Sequence, residues 1–161
     1  MTTYLKEDFL YDADLVLEDS LDTDGAPAAI AGAGSYAGSV LAVDTVIDVG
    51  DGLVEGYMIV DVDQIDIDEA NELYNVQLQG TNVAAFATAA LIIDLAQVNL
   101  GSGELVAAGT PAYDIGAAGD RFVVPFRNEQ NGTVYRYLRV YQTIAGTGAS
   151  ITDTIWLSIK R

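Results

Sequence analysis

Asparagine followed by glycine at positions 131–132 is the feature that most narrows what this chain can fold into. The pair separates Arg121-Phe-Val-Val-Pro-Phe-Arg127 from Val134-Tyr-Arg-Tyr-Leu-Arg-Val-Tyr141, two runs in which apolar residues alternate. Asn-Gly tolerates the positive φ angles of a two-residue turn whose twist matches two paired strands, so an antiparallel hairpin is expected here. Gly146-Thr147-Gly148 is expected to turn the chain again into Ile151-Thr-Asp-Thr-Ile-Trp-Leu-Ser-Ile159, which makes a three-stranded meander.

Register decides which side chains share a face, because side chains alternate along a strand. Pairing Gln130 with Thr133 sets Phe126 against Tyr137 and Phe122 against Tyr141. Pairing Ala145 with Ala149 sets Tyr137 against Leu157 and Tyr135 against Ile159. Both registers gather Phe122, Val124, Phe126, Tyr135, Tyr137, Tyr141, Ile155, Leu157 and Ile159 on one side, the expected core face. The opposite side carries Val123, Pro125, Val134, Leu138, Val140 and Trp156, where an ordinary antiparallel sheet meets water. Either the N-terminal segment of the same chain covers that side or a partner does. The hairpin also sets Arg127 against Arg136, and like charges across a pair are unfavourable without carboxylates nearby. The two arginines are therefore expected anchors for an acidic surface. Arg127, Val134, Arg136, Leu138, Val140 and Trp156 together make the expected protein interface.

Upstream, Asp44–Val49, Leu53–Ile65, Leu73–Gln79 and Leu91–Val98 read as further strands from their β-branched content or alternation. The alanines of the region from Leu91 allow a helix, but Leu91, Ile93 and Leu95 alternate and Gly101 and Gly103 end the run, which favours a strand. Glu7–Ser20 suits an extended arm or an early strand, and Ala26–Gly38 is an Ala/Gly-rich stretch with little bulk to pack, expected to be a long loop. The chain is thus expected to be all-β: an acidic arm and Ala/Gly-rich loop over 1–40, then an antiparallel β-sandwich of jelly-roll type over 41–161.

Charge is sorted along the chain. Residues 1–72 hold 18 of the 24 acidic groups and only Lys6 on the basic side, so they carry the whole net charge of −17; residues 73–161 hold equal numbers of each sign. The acidic part offers no positive stripe to replace the counterions of a phosphate backbone, so no nucleic-acid partner is expected. The first residues lack a basic start and an apolar run, and the most apolar stretch, Val83–Val98, is shorter than a bilayer and contains Asp94, so neither a secretory leader nor a membrane partner is expected.

The chain has no cysteine and no histidine, which removes thiolate chemistry, disulfides and the usual neutral-pH acid–base group. Asp61, Asp63, Asp66, Asp68 and Glu72 are the candidate cation ligands, since hard cations want several carboxylate oxygens. They depart from the helix-loop-helix calcium loop where Ile65 replaces an oxygen donor and Asp66 replaces the turn glycine. Strand alternation also sends Asp61 and Asp63 to one face and Asp66 and Asp68 to the other, which suits a solvated strand end instead. Asp22-Thr-Asp24-Gly25 suits a turn. Paired carboxylates for glycoside hydrolysis cannot be told from chance pairs among so many acids, and no phosphate loop, nucleophile elbow or dinucleotide motif occurs. A binding protein without catalysis or cofactor is expected.

The order of Asp44-Thr-Val-Ile-Asp-Val-Gly50, Tyr57-Met-Ile-Val-Asp-Val62, Tyr74-Asn-Val-Gln-Leu-Gln-Gly80 and Phe86-Ala-Thr88, closed by Val134-Tyr-Arg-Tyr-Leu-Arg-Val-Tyr-Gln-Thr-Ile-Ala-Gly-Thr-Gly148, resembles the capsid cement proteins of short-tailed phages related to the Bordetella phage. The resemblance spans roughly residues 40–161, and the first forty depart from it. It implies a jelly-roll subunit, made in the host bacterial cytoplasm, that sits on the capsid exterior and clamps neighbouring copies of the major capsid protein. It further implies a homo-oligomer, a dimer ahead of a trimer. The alternative from the acidic cluster is a glycan- or cation-binding β-sandwich of a tail or cell surface.

Overall fold

A computed structural model describes residues 15–19, 33–34, 46–67, 71–86, 88, 91–101 and 116–159. The described elements are β1 (Val16–Asp19), β2 (Ala33–Gly34), β3 (Ile47–Asp48), β4 (Glu55–Ile65), β5 (Leu73–Thr81), β6 (Ile93–Gly101), β7 (Arg121–Arg127), β8 (Glu129–Gln130), β9 (Thr133–Val134), β10 (Tyr137–Ala145) and β11 (Ile151–Ile159). The expected all-β, sandwich-like architecture is what these strands build, and the stretch expected as a strand from Leu91 to Val98 is one from Ile93 to Gly101.

One sheet runs β1-β11-β4-β7 and the other β2-β10-β5-β6, with β3 also against β10, and every pairing is antiparallel. Met58, Val60, Val62, Ile155 and Leu157 of the first sheet meet Tyr74, Val76, Leu78, Leu138, Val140 and Ile144 of the second in one buried cluster. Burying such apolar surface, at roughly 25 cal/mol per Å², is the main force holding the two sheets together.

The expected meander does not form. Asn131 and Gly132 make the turn, with φ of 53° and 81°, and Gln130 pairs with Thr133. The hairpin ends there, at the two-residue strands β8 and β9. Phe126 then lies opposite Gly56 and Phe122 opposite Val60, while Tyr137 pairs with Thr81 and Asp48, and Leu157 pairs with Met58. The chain crosses from one sheet to the other between β7 and β10, and again between β10 and β11.

Burial explains the crossing. A flat meander leaves one of its two apolar faces in water, whereas strands divided between stacked sheets turn both sets inward from opposite sides. Phe122, Val124, Phe126, Ile155, Leu157 and Ile159 face the core as expected. Strand β10 is reversed: Leu138 and Val140 are buried, and Tyr137 and Tyr141 lie half-buried on the outer side.

Two further features tie sequence to geometry. Inward residues of β4 fall at Met58, Val60 and Val62, and the next apolar one is Ile65, three positions on rather than two. A register shift between Thr152 and Asp153 absorbs the extra residue, setting Val62 opposite Asp153 and Ile65 opposite Ile151. Second, the core reaches into the N-terminal region, because Val16–Asp19 pairs with β11 and its Leu17 is buried. Ala33–Gly34 pairs with β10, so the structure does not begin at residue 41. Apart from Leu15, the rest of 1–40 lies outside the described residues.

The sorted charge of the sequence is drawn together in space. Arg121 grips Asp61 with two donors, Nη2 at 2.6 Å from Oδ2, and Arg127 lies 3.4 Å from Glu55 and 3.5 Å from Glu129. Arg136 grips Asp48 through two 2.8 Å bonds and reaches Asp51 at 3.4 Å. Arginines of the second half thus neutralise carboxylates mostly of the first. Solvent screens these pairs, the Arg121 side chain being 53% exposed and that of Asp61 28%. A double-mutant cycle with Asp61→Asn and Arg121→Met is expected to give a coupling below about 1 kcal/mol in chemical unfolding.

Candidate interaction surfaces

The structure scatters the candidate cation ligands. Asp61 is taken by Arg121 on the outer side of the first sheet, and Asp63 is exposed beside the register shift. Asp66 is half-buried and its backbone carbonyl accepts the Tyr74 hydroxyl, while Asp68 lies outside the described residues. Glu72 is fully buried at the foot of β5, and neither carboxylate oxygen has a hydrogen-bond partner in the structure. Among the described residues no three acidic, histidine or cysteine side chains come close enough to hold a metal ion. Alternation and the register shift turn these groups in different directions, so sequence proximity does not become a site.

The expected interface is likewise divided. Leu138 and Val140 belong to the core and are not available as contact residues. Trp156 does project to the outer side of the first sheet, paired with Ile59, but it is only 4% exposed. Tyr57 packs against this pair and the Arg121 guanidinium lies 5.2 Å from the indole centroid. Arg127 and Arg136 do not oppose each other, since Arg127 pairs with Glu55 across the ladder and Arg136 turns to Asp48. The guanidinium of Arg136, with the Gly50 amide, holds the Asp48 carboxyl below the usual carboxylate range, and Asp48 raises Arg136 in return. Val134 is half-buried on β9.

Exposed apolar surface gathers elsewhere. Val83 and Leu91 are 42% and 51% exposed, and with Ile93 and Tyr135 they line a hollow of about 200 Å³ whose polar rim includes Asn82 and Thr133. Asn82 holds the two sides of the hollow together: its Nδ2 donates to the Val134 carbonyl at 3.0 Å and its Oδ1 accepts from the Arg136 amide at 2.9 Å. The expected interface residues Val134 and Arg136 thus flank this hollow, whereas Leu138, Val140 and Trp156 do not line it. Sequence reasoning missed it because Val83 and Leu91 lie 52 and 44 positions from Tyr135 by number and meet it only through the fold.

Two buried polar centres were also missed. Asn128 is fully buried between β7 and β8. Its Oδ1 accepts from the Val54 amide at 2.7 Å, and its Nδ2 donates to the carbonyls of Gly52 and Tyr135, each at 3.0 Å. Gln142 of β10 donates to Asp153 of β11 across the interior at 2.7 Å, both being buried. Burial, reinforced by the charge of Asp63, pushes the Asp153 carboxyl up to about 7, with the Gln142 bond opposing. Polar residues at alternating inward positions were the available signal for this pair.

A polar cleft of about 390 Å³ runs between the start of β6 and the end of β7, with Glu55, Asp94, Arg127 and Glu129 among its lining. Arg127 is spent on both glutamates, so the cleft holds three carboxylates around a single guanidinium. Among the described residues no helix is long and apolar enough to cross a membrane. No protein-family model, curated protein or solved structure matches the chain.

Proposed function

We propose that the chain is a structural, non-catalytic protein of a tailed-phage virion that binds the capsid exterior and bridges copies of the major capsid protein, itself as a homo-oligomer. The observation that carries the proposal is the exposed apolar hollow of Val83, Leu91, Ile93 and Tyr135, rimmed by polar groups at one end of a two-sheet scaffold. Contacts between proteins draw their energy from such apolar centres enclosed by polar rims. The order of the strand motifs from Asp44 to Gly148 supports the same reading.

Changing both Val83 and Leu91 to glutamate is expected to weaken binding to stripped phage particles by about tenfold or more. The melting temperature should stay nearly constant, because substitutions at half-exposed side chains away from buried networks usually cost under about 0.5 kcal/mol. Cryo-electron microscopy of the particles is expected to place the protein outside the shell, near one copy per major-capsid subunit. A position inside the capsid or in the tail, or undiminished binding by the double variant, refutes the proposal.

A further inference from the structure

The outer face of the second sheet has a composition at odds with the rest of the chain. Ladder pairing sets Asn99, Asn75 and Thr143 in one row across β6, β5 and β10, and Gln97, Gln77 and Tyr141 in the next. The row after that is Asp94, Gln79 and Arg139. In a protein of net charge −17, these three rows carry one acid and one cation, which cancel, and are otherwise amides, one hydroxyl and one tyrosine.

Six of the nine side chains are hydrogen-bonded to one another. Asn75 donates to Asn99, and Gln77 and Gln79 donate to the two oxygens of Asp94 at 2.9 and 3.1 Å. Arg139 donates twice to the Gln79 carbonyl oxygen, at 3.1 and 3.0 Å. Its guanidinium lies 4.3 Å from the Phe86 ring centroid and 5.3 Å from that of Tyr141. Phe86 adopts φ of 47°, a left-handed conformation that costs a bulky residue of order 1 kcal/mol or more. That conformation closes a turn in which the Phe86 amide donates to the Val83 carbonyl, and it leaves the ring buried beneath Arg139, where it holds the guanidinium in place.

Planar amides present a donor and an acceptor side by side, the pattern that matches adjacent sugar hydroxyls, and an aromatic face suits the C–H face of a pyranose ring. The net negative charge of the protein repels anions, and a face with no uncompensated charge gives an ion nothing to pair with, which favours an uncharged polar partner. We infer that the outer face of β5, β6 and β10 binds a neutral glycan, with Tyr141 and the clamped Arg139 as the platform and Gln77 and Gln97 as hydroxyl-reading amides. This site is separate from the apolar hollow and from the acidic stretch Asp61–Glu72.

Affinity electrophoresis of the full chain tests it, in native gels containing dextran, galactomannan or arabinoxylan, with anionic alginate as the charge control. Retardation by at least one neutral polymer and not by alginate is expected. Tyr141→Ala should weaken that retardation about tenfold and Gln77→Ala severalfold. Tyr57→Ala on the other sheet should leave it intact, and circular-dichroism melts will confirm that each variant is folded. The inference is overturned by retardation in none of the neutral gels, by retardation that Tyr141→Ala does not change, or by a Tyr141→Ala variant whose only effect is to split an oligomer in sedimentation.

Discussion

Asp153→Asn is expected to stabilise the protein above pH 7 and to leave it almost unchanged near pH 4. Asp153 sits in the interior of the sandwich, where the charged form is poorly solvated, and its carboxyl is pushed up to about 7 from an ordinary value of 3.8. A raised carboxyl holds its proton in the fold after the unfolded chain has released it. Stability from this group is therefore intact below about pH 4, declines as pH rises towards 7 and is level above that. A shift of roughly three pH units corresponds to about 4 kcal/mol, which is the ceiling for the gain in the asparagine variant.

The neighbouring side chain favours the exchange. Gln142 already donates from Nε2 to Asp153, while its buried Oε1 has no donor. An asparagine supplies both an acceptor and a donor at the same place, so a paired carboxamide replaces a charge. Other carboxylates act in the opposite sense: Asp48, lowered by Arg136, contributes stability that is lost on acidification. The diagnostic quantity is thus the difference between variant and parent in urea unfolding from pH 4 to 8.5. A variant less stable than its parent at pH 8, or a difference that does not vary with pH, contradicts this account.

The opposite outcome is expected at Asn128, where alanine should cost about 4 kcal/mol. The side chain satisfies the Val54 amide and the Gly52 and Tyr135 carbonyls, and its own backbone exchanges bonds with Val54 and Tyr135. It therefore stitches the loop before β4 and the segment before β10 to the end of β7. Each buried group left without a partner costs roughly 1–3 kcal/mol, and alanine strands several at once. Asn128→Asp keeps the acceptor but loses the donor to both carbonyls, so it should recover little. Denaturant midpoints for the two variants check this, and a loss under about 1 kcal/mol for alanine removes Asn128 from its structural role.

These residues also show how far local pattern reaches. The turn at Asn131-Gly132 was legible because its backbone needs φ above zero at both positions, a requirement met within two residues. The inward residues of β7 and β11 were legible because only one side of each reads strongly apolar. On β10 both sides do: Leu138, Val140 and Ile144 alternate with Tyr137 and Tyr141, so alternation locates the strand without choosing its inner face. Extending the hairpin beyond β8 and β9 made that choice wrongly. Pairing with β5 instead turned Leu138 and Val140 into the core and brought the two tyrosines to the outer side.

The candidate sites were less legible than the fold. The acidic stretch from Asp61 to Glu72 looks like one cluster in sequence and becomes an ion pair, an exposed bulge residue and a buried carboxylate in space. The hollow and the amide-lined face each draw on residues dozens of positions apart, which no spacing rule detects.

What the sequence determined by itself was the all-β character, the position of most strands, the central turn and the separation of acidic from balanced halves. Each is a property of neighbouring residues and their backbone preferences. Only the tertiary structure decided which strands pair, which side of β10 faces inward and that Arg121, Arg127 and Arg136 are spent on carboxylates of the chain itself. Backbone ladders are nearly alike for any two strands, so partners are chosen by how much apolar surface and charge the whole arrangement satisfies.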